Sequence, residues 1–348
     1  MIHEEWSKLS DEDLLHYITT EDNDEMEELF SAARKVREEH YGQDVYFRGL
    51  IEFTNHCKND CFYCGLRRSN NHVERYRLSL EEILECCRKG NDLGFRTFVL
   101  QGGEDPWFTD DRLCEIVNTI HREFPLAAIT LSLGERSRKS YEKLFSAGAN
   151  RYLLRHESAN DSHYAALHPS ELLLSRRKQC LKDLKEIGFQ TGAGFMVGSP
   201  FQTAKCLLAD LRYMQELEPH MAGIGPFIPA ANTPFAEYNA GSISLTLRMV
   251  ALTRLLFPRI LLPATTALGT LAGREAAVII DGREQALMAG ANVIMPNLSP
   301  SNVRKHYSIY DNKLNYDCEF SDYVQKIIND VEEAGFVPVM RTRGDYKA

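Results

Sequence analysis

Val45-Tyr46-Phe47-Arg48-Gly49-Leu50-Ile51-Glu52-Phe53-Thr54 runs directly into Asn55-His56-Cys57-Lys58-Asn59-Asp60-Cys61-Phe62-Tyr63-Cys64. The first ten residues are dominated by β-branched, aromatic and aliphatic types and read as a strand. The next ten open a loop that carries Cys57-x₃-Cys61-x₂-Cys64. Chemistry placed just beyond the C-terminal end of a strand is the arrangement of parallel α/β barrels, whose active sites are built from those ends.

Working outward, the pattern alternates regularly. Further β-rich runs lie at Arg96–Gln101, Ala127–Leu133, Asn150–Arg155, Phe189–Met196, Met221–Phe227, Ile260–Thr266 and Ala291–Pro296. Helical spacing of apolar residues fills the gaps near Leu80–Leu93, Asp111–Glu123, Arg138–Ala147, Leu172–Ile187, Ala204–Glu216, Leu245–Phe257 and Asp281–Ala289. Gly94, Gly148, Gly188 and Gly290 stand where helix C-caps are expected. Eight strand–helix units predict an α/β fold, a complete (β/α)₈ TIM-type barrel. Ahead of it, Ser10-Asp11-Glu12-Asp13 is a helix start and Asp24–Glu39 has helical spacing. The expected organisation is an N-terminal helical extension, residues 1–44, capping a barrel, residues 45–348, that ends in a helix near Ser321–Ala334. No Pro/Gly/Ser linker or charge block divides the alternation.

The 348 residues are 44% apolar and 26% charged, enough for a large core, and the net charge of −9 disfavours nucleic acid or an anionic membrane as partner. The N-terminus has no signal-peptide pattern, and no apolar run approaches the roughly 20 residues of a membrane span. A cytoplasmic protein is expected. Nine cysteines in a chain of this length fit metal or redox chemistry better than a disulfide framework. Cys86, Cys87, Cys114, Cys180, Cys206 and Cys318 read as small hydrophobes, leaving the clustered three.

Every expected strand end is polar or glycine-rich: Thr54-Asn55-His56-Cys57, Gln101-Gly102-Gly103-Glu104-Asp105, Ser132-Leu133-Gly134-Glu135, Arg155-His156-Glu157, Met196-Val197-Gly198, Gly225-Pro226-Phe227-Ile228-Pro229, Thr265-Thr266 and Pro296-Asn297. Any one is ordinary turn chemistry; together they outline a polar chamber. Thiolates are soft ligands for iron–sulfur clusters or zinc. A [4Fe–4S] cluster on Cys57, Cys61 and Cys64 has one iron open to a chelating molecule such as S-adenosylmethionine (SAM). Electron transfer into the sulfonium then releases a 5′-deoxyadenosyl radical, chemistry that the cofactor carries. Tyr63 is placed to pack beside the adenine. Structural zinc is the competing reading, with His56 or His72 as fourth ligand, but it lacks a second cysteine pair.

These residues resemble the radical SAM superfamily. Ile51–Asn55, Cys64–Arg68, Arg75-Tyr76-Arg77, Gln101–Pro106, Arg151–Glu157, Gly223–Pro229, Pro263–Ala267 and Gly290–Asn297 resemble, within it, the HydE maturases of [FeFe]-hydrogenase. That resemblance implies catalysis with one [4Fe–4S] cluster and SAM. The substrate would be a small cysteine-bound iron–carbonyl–cyanide precursor of the hydrogenase H-cluster. A ferredoxin- or flavodoxin-like electron donor and other hydrogenase maturases would be the partners. By similarity, Gln101, Gly102, Gly103 and Glu104 face the methionine end of SAM. Glu157 and Arg177 hold its ribose and carboxylate, with Ser132 and Met196 nearby. Arg48, Thr130, Arg155, Thr265, Thr266 and Tyr307 line the deeper substrate or anion cavity. Plainer readings stand beside these: Arg155 and Glu157 as a buried ion pair, Arg176-Arg177-Lys178 as a solvated helix face, Thr265 and Thr266 as simple strand formers. A sibling amino-acid mutase such as methylornithine synthase would share the barrel, and a zinc-binding non-enzyme is the remaining alternative. The C-terminal region offers only Cys318, so no second cluster is expected, and Gly273–Ile280 departs from the family pattern.

Overall fold

The computed structural model describes Trp6 and residues 8–272, 281–313 and 320–347. The expectations for Cys318 and for Gly273–Ile280 therefore lie outside the described residues. The first barrel strand is two pieces, β1 (Asp44–Phe47) and β2 (Gly49–Thr54), separated by Arg48 alone. Then come β3 (Thr97–Gly102), β4 (Ala128–Ser132), β5 (Arg151–Leu153), β6 (Gln190–Ala193), β7 (Met196–Val197), β8 (Met221–Ala222), β9 (Gly225–Pro226), β10 (Val293–Ile294) and β11 (Val337–Val339). Helices stand between most of them: Leu80–Asp92, Asp110–Glu123, Arg138–Ser146, Leu174–Ile187, Ala204–Leu217, Ile243–Leu256 and Asp281–Met288. Ser79, Thr109 and Ser137 accept the N-terminal amides of the first three, which is why those helices begin where they do.

All strand pairs are parallel. One sheet has the order β2-β3-β4-β5-β6-β8, another β10-β1-β11, and β7 pairs β9. Single bridges extend the order, Met221 with Leu261, Pro263 with Val293 and Leu50 with Asn297, while β10 pairs β1. Strands buried on both faces explain the near-continuous apolar runs: β2 is buried at every position.

Three departures from the sequence expectation have local causes. The fifth strand breaks at Gly194, whose φ is +143°; a Cβ there would lie 2.1 Å from the Gly223 carbonyl oxygen, so the chains touch backbone to backbone. The expected strand Ile260–Thr266 keeps only its bridges at Leu261 and Pro263, because Pro263 has no amide to give and Thr266 begins the helix Thr266–Ala272. The C-terminal strand β11, unforeseen, pairs with β1 from Asp44–Val337 to Tyr46–Val339.

The N-terminal helices Asp11–Thr19 and Asn23–Tyr41 insert Leu14, Ile18, Leu29, Ala33 and Val36 into the same continuous apolar core as the strands. Tyr41 donates to the Arg259 carbonyl at 2.5 Å and Arg212 pairs with Asp11 at 2.7 Å. At the opposite end from the cysteine loop, the C-terminal segment meets the strand starts. Thr97 and Arg151 donate to the Arg343 carbonyl, and Arg151 pairs with Asp345 at 2.6 Å. No helix among the described residues is long and apolar enough to cross a membrane.

Candidate active site

The cysteine loop is held by charged side chains aimed at backbone. The Arg75 guanidinium donates to four carbonyls, those of Asn55, Leu66, Arg67 and Asn70. Asp60 accepts from Arg67 Nε at 2.7 Å and from the Ser69 amide and hydroxyl. At the strand end, Thr54 donates to Asp105, which Arg77 grips through two nitrogens at 2.6 and 3.0 Å. A fork of two parallel N–H···O bonds fixes direction as well as distance.

Within this frame the three thiols lie close enough to feel one another's charge. Burial pushes Cys57 and Cys61 upward and Cys64 to about 12, the neighbouring thiols adding to the effect at Cys61 and Cys64. Backbone amides of Asn59 and Glu104 point at Cys57, and that of Leu66 at Cys64. Gly103 makes the close approach possible: a Cβ would sit 2.2 Å from the His56 carbonyl oxygen and 2.8 Å from Cys57 Cβ.

Beside the loop, Tyr63 meets His168 edge-on, its hydroxyl 3.2 Å from Nε2. Tyr63 and Phe62 pack on Leu167, Met196, Phe227 and Phe235, so the expected residues Tyr63 and Met196 share one apolar pocket. Gln101 bonds the buried Tyr307 hydroxyl. Ser132 lies level with Gln101 on the neighbouring strand. Glu104 is engaged already, with Lys58 at 3.2 Å and the Glu135 amide at 2.8 Å. Arg177 is buried rather than solvated, donating to Glu135 at 2.6 Å and to the Arg155 carbonyl at 3.1 Å. From sequence Glu135 was read only as part of the polar strand end Ser132–Glu135, with no role of its own.

Arg155 approaches Glu157 to 3.0 Å, but misaligned. Arg155 Nε and Nη2, Glu157 Oε2, Thr130 Oγ1 and Thr265 Oγ1 are all buried without a hydrogen-bond partner. Gly225 makes room for one of them, since a Cβ there would lie 3.0 Å from Thr265 Oγ1. Unsatisfied buried polar groups are rare and call for a ligand or water.

Of the expected cavity residues, Arg48 lies far from the strand ends and Thr266 opens a helix. Arg48 sits six residues, roughly 20 Å of strand, before Thr54. Its guanidinium meets Met221 Sδ at 3.0 Å and the Gly344 carbonyl at 3.3 Å, among the C-terminal segment and not beside Arg155. Thr266 has turned into a helix, where its carbonyl accepts from Thr270.

A sequence profile described as the Radical SAM superfamily matches residues 51–214. The [FeFe] hydrogenase maturase subunit HydE of Thermotoga maritima is 47% identical over 83% of this chain and 80% of its own length. The chain belongs to the radical SAM superfamily. The 3-methylornithine synthase of Methanosarcina acetivorans is 30% identical over 95% of this chain and 91% of that protein. A crystal structure of methylornithine synthase superposes with a TM-score of 0.85 at 27% identity, covering 98% of each chain.

The residues fit the cofactors of a radical SAM enzyme. Backbone amides facing the sulfurs stabilise thiolates, and the unpartnered atoms of Arg155 and Glu157 await polar groups. Among the described residues no three or more of His, Cys, Asp and Glu converge on a single-ion position. Structural zinc needs four such ligands, whereas a cubane takes each thiolate on a different iron.

The radical SAM enzyme also carries a buried pair that sequence reading passed over. Lys313 reaches the Glu52 carboxylate, the two side chains being 7% and 1% exposed, and Asn297 donates to the other Glu52 oxygen at 2.7 Å. The signal was Glu52 itself, an acid on the apolar strand β2 in alternation with Thr54. Its partner arrives from 261 residues away, in a segment that bonds the cysteine loop through Ile309 and Gly65.

Proposed function

We propose that this radical SAM enzyme is a HydE-type maturase, acting on a small cysteine-bound iron–carbonyl–cyanide precursor during assembly of the [FeFe]-hydrogenase H-cluster. The fold proposed with it is a closed eight-stranded barrel capped by residues 1–44, a reading that the strand register supports. Following the parallel pairs and bridges from Tyr46 through Val293, Pro263, Met221 and β6 to β2 returns to the first strand near Thr54, eight residues further along. That stagger is the shear of a (β/α)₈ barrel.

One [4Fe–4S] cluster with SAM would supply, when bound, a 5′-deoxyadenosyl radical. The chain's own part is to hold and orient. Cys57, Cys61 and Cys64 are the cluster ligands. Tyr63 and Met196 cover the adenine, while Glu157 and Arg177, with Ser132 nearby, take the ribose and carboxylate. Gln101 and the Gly102-Gly103-Glu104 backbone face the methionine end. Arg155, Thr130, Thr265 and Tyr307 receive an anionic substrate, and the segment ending at Lys313 shields it from water. A small flavodoxin- or ferredoxin-like donor and other maturases are the proposed partners.

The observation that carries this reading over its sibling is 47% identity to HydE against 30% to 3-methylornithine synthase. The sibling reading has its own support in the end-to-end superposition on methylornithine synthase. One experiment decides between them. Anaerobically reconstituted protein is added to a defined maturation mixture lacking HydE, and in parallel incubated with lysine and SAM. Hydrogen evolution by the matured hydrogenase is expected. An inactive hydrogenase together with 3-methylornithine would establish the sibling activity instead.

A further inference from the structure

Glu157 has a backbone that an unconstrained glutamate avoids. Its φ is +64°, and the Ser158 amide donates to the His156 carbonyl at 2.8 Å, closing a three-residue turn around it. An i to i+2 bond around a positive-φ residue is the rare, strained hand of γ-turn. Such strain persists only where the surroundings over-determine it.

The surroundings here are unusually explicit. Asp210, on the helix Ala204–Leu217 outside the strands, is fully buried and contacts both sides of the turn. Its Oδ1 accepts from the Ala159 amide at 2.5 Å and lies at ion-pair distance, 3.3 Å, from His156 Nε2, without hydrogen-bond alignment. The His156 ring, also fully buried, is wedged between Phe195 and Tyr213 and accepts from the Gly194 amide at 3.4 Å through Nδ1. Ser158 is held outward by His163 Nδ1 at 2.9 Å, whose other nitrogen reaches Ser199 and Pro200. The Glu157 peptide itself is pinned to Gly194 and Met196 on the next strand. Residues 156, 158 and 159 are thus anchored by other groups, while the Glu157 Oε2 has only the misaligned Arg155 guanidinium at 3.0 Å and accepts no hydrogen bond.

We infer that Asp210 and His156 are positioning residues: they hold the strained turn shut and thereby fix the Glu157 carboxylate for SAM. The inference rests on the proposed role of Glu157 as a ligand of SAM. Asp210 lies outside every stretch that resembles the family, and His156 lies within one, Arg151–Glu157, without having been given a role. The strain has a use in this arrangement. A carboxylate set by a buried clamp does not have to be ordered by the ligand, so affinity is not spent on organising it.

The test is equilibrium binding of SAM to reconstituted protein, followed through the change SAM causes in the spectrum of the reduced cluster. It is run on wild type, Glu157→Ala, Asp210→Ala, Asp210→Asn and the Asp210→Ala/Glu157→Ala double variant. Expected are weakening by about tenfold for Asp210→Ala at unchanged iron content, partial recovery in Asp210→Asn, which keeps the acceptor for the Ala159 amide, and no further loss in the double variant. Losses that add in the double variant would show damage unrelated to Glu157 and overturn the inference. Wild-type affinity in folded Asp210→Ala, with Glu157→Ala weakened, would overturn it while leaving the role of Glu157 intact. Unchanged affinity in Glu157→Ala would remove that role and the inference with it. Should Asp210→Ala not yield folded protein, His156→Asn carries the same cycle.

Discussion

Gly103 passes beneath the cysteine loop so closely that a methyl group there would press on the His56 carbonyl at 2.2 Å. The loop cannot yield easily, because Arg75 ties four of its carbonyls together. Gly103→Ala is therefore expected to fold but to retain less than about half of its cluster iron after reconstitution and desalting, since a shift of several tenths of an ångström displaces Cys57, the proposed ligand. Iron and sulfide analysis checks this. At this scale much was legible in sequence: cysteine spacing, Tyr63 and the glycine pair are local patterns. Glu135 and the Glu52–Lys313 pair were not, because their meaning depends on which distant strand end or loop they meet. The surroundings of Arg48 were not legible for a related reason. Alternation along the strand is visible in sequence, but distance from the strand's end decides which neighbours a residue meets.

Segment 305–313 acts as one element laid over the strand ends. Gly65 donates to the Ile309 carbonyl, Asn55 to that of His306, and the Ala231 amide to the Asp311 carboxylate. Lys313 then carries its charge down to buried Glu52. Removing one partner of a buried ion pair leaves the other uncompensated, so Lys313→Met should destabilise by about 3 kcal/mol or more, and Glu52→Gln/Lys313→Met should recover part of that loss. Urea unfolding of the cluster-free proteins measures both. Additive losses in the double variant would mean that the two side chains do not act as a pair. Most helices were legible from apolar spacing and caps. The strand at Ile260–Thr266 was not, since a β-rich composition does not reveal that Pro263 interrupts its ladder or that Thr266 starts a helix.

Across the whole molecule, the C-terminal segment covers the side opposite the cysteines, at the strand starts, while the N-terminal helices lie against the helix Ile243–Leu256. The N-terminal helices join the common core, and the C-terminal segment docks through Arg151 and Asp345. Burial alone would raise the Asp345 carboxyl, but the Arg151 hydrogen bond and charge, with Arg343 and Gln190, outweigh it and hold the group below its ordinary range. A depressed carboxylate contributes stability above its unfolded pKa of about 3.9, and that contribution is lost as pH falls through the folded value. Asp345→Asn should accordingly lower the melting temperature at neutral pH by a few degrees only, because the carboxylate is 39% exposed and partly screened. The gap to wild type should close in acid below about pH 4. Thermal scans of cluster-free protein across pH test this, and a gap that persists in acid would assign the loss to packing. This docking was invisible in sequence because the C-terminal residues carry no periodic signal, only contacts made after folding.

The most direct measurement is electron paramagnetic resonance of the reconstituted, reduced protein with and without SAM. Expected is a signal from one [4Fe–4S] cluster per chain that changes shape when SAM is added, together with 5′-deoxyadenosine in the mixture, all of it abolished by Cys57→Ala, Cys61→Ala or Cys64→Ala. A cluster signal that ignores SAM, or one that survives loss of these cysteines, would contradict the assignment of an open iron to this loop.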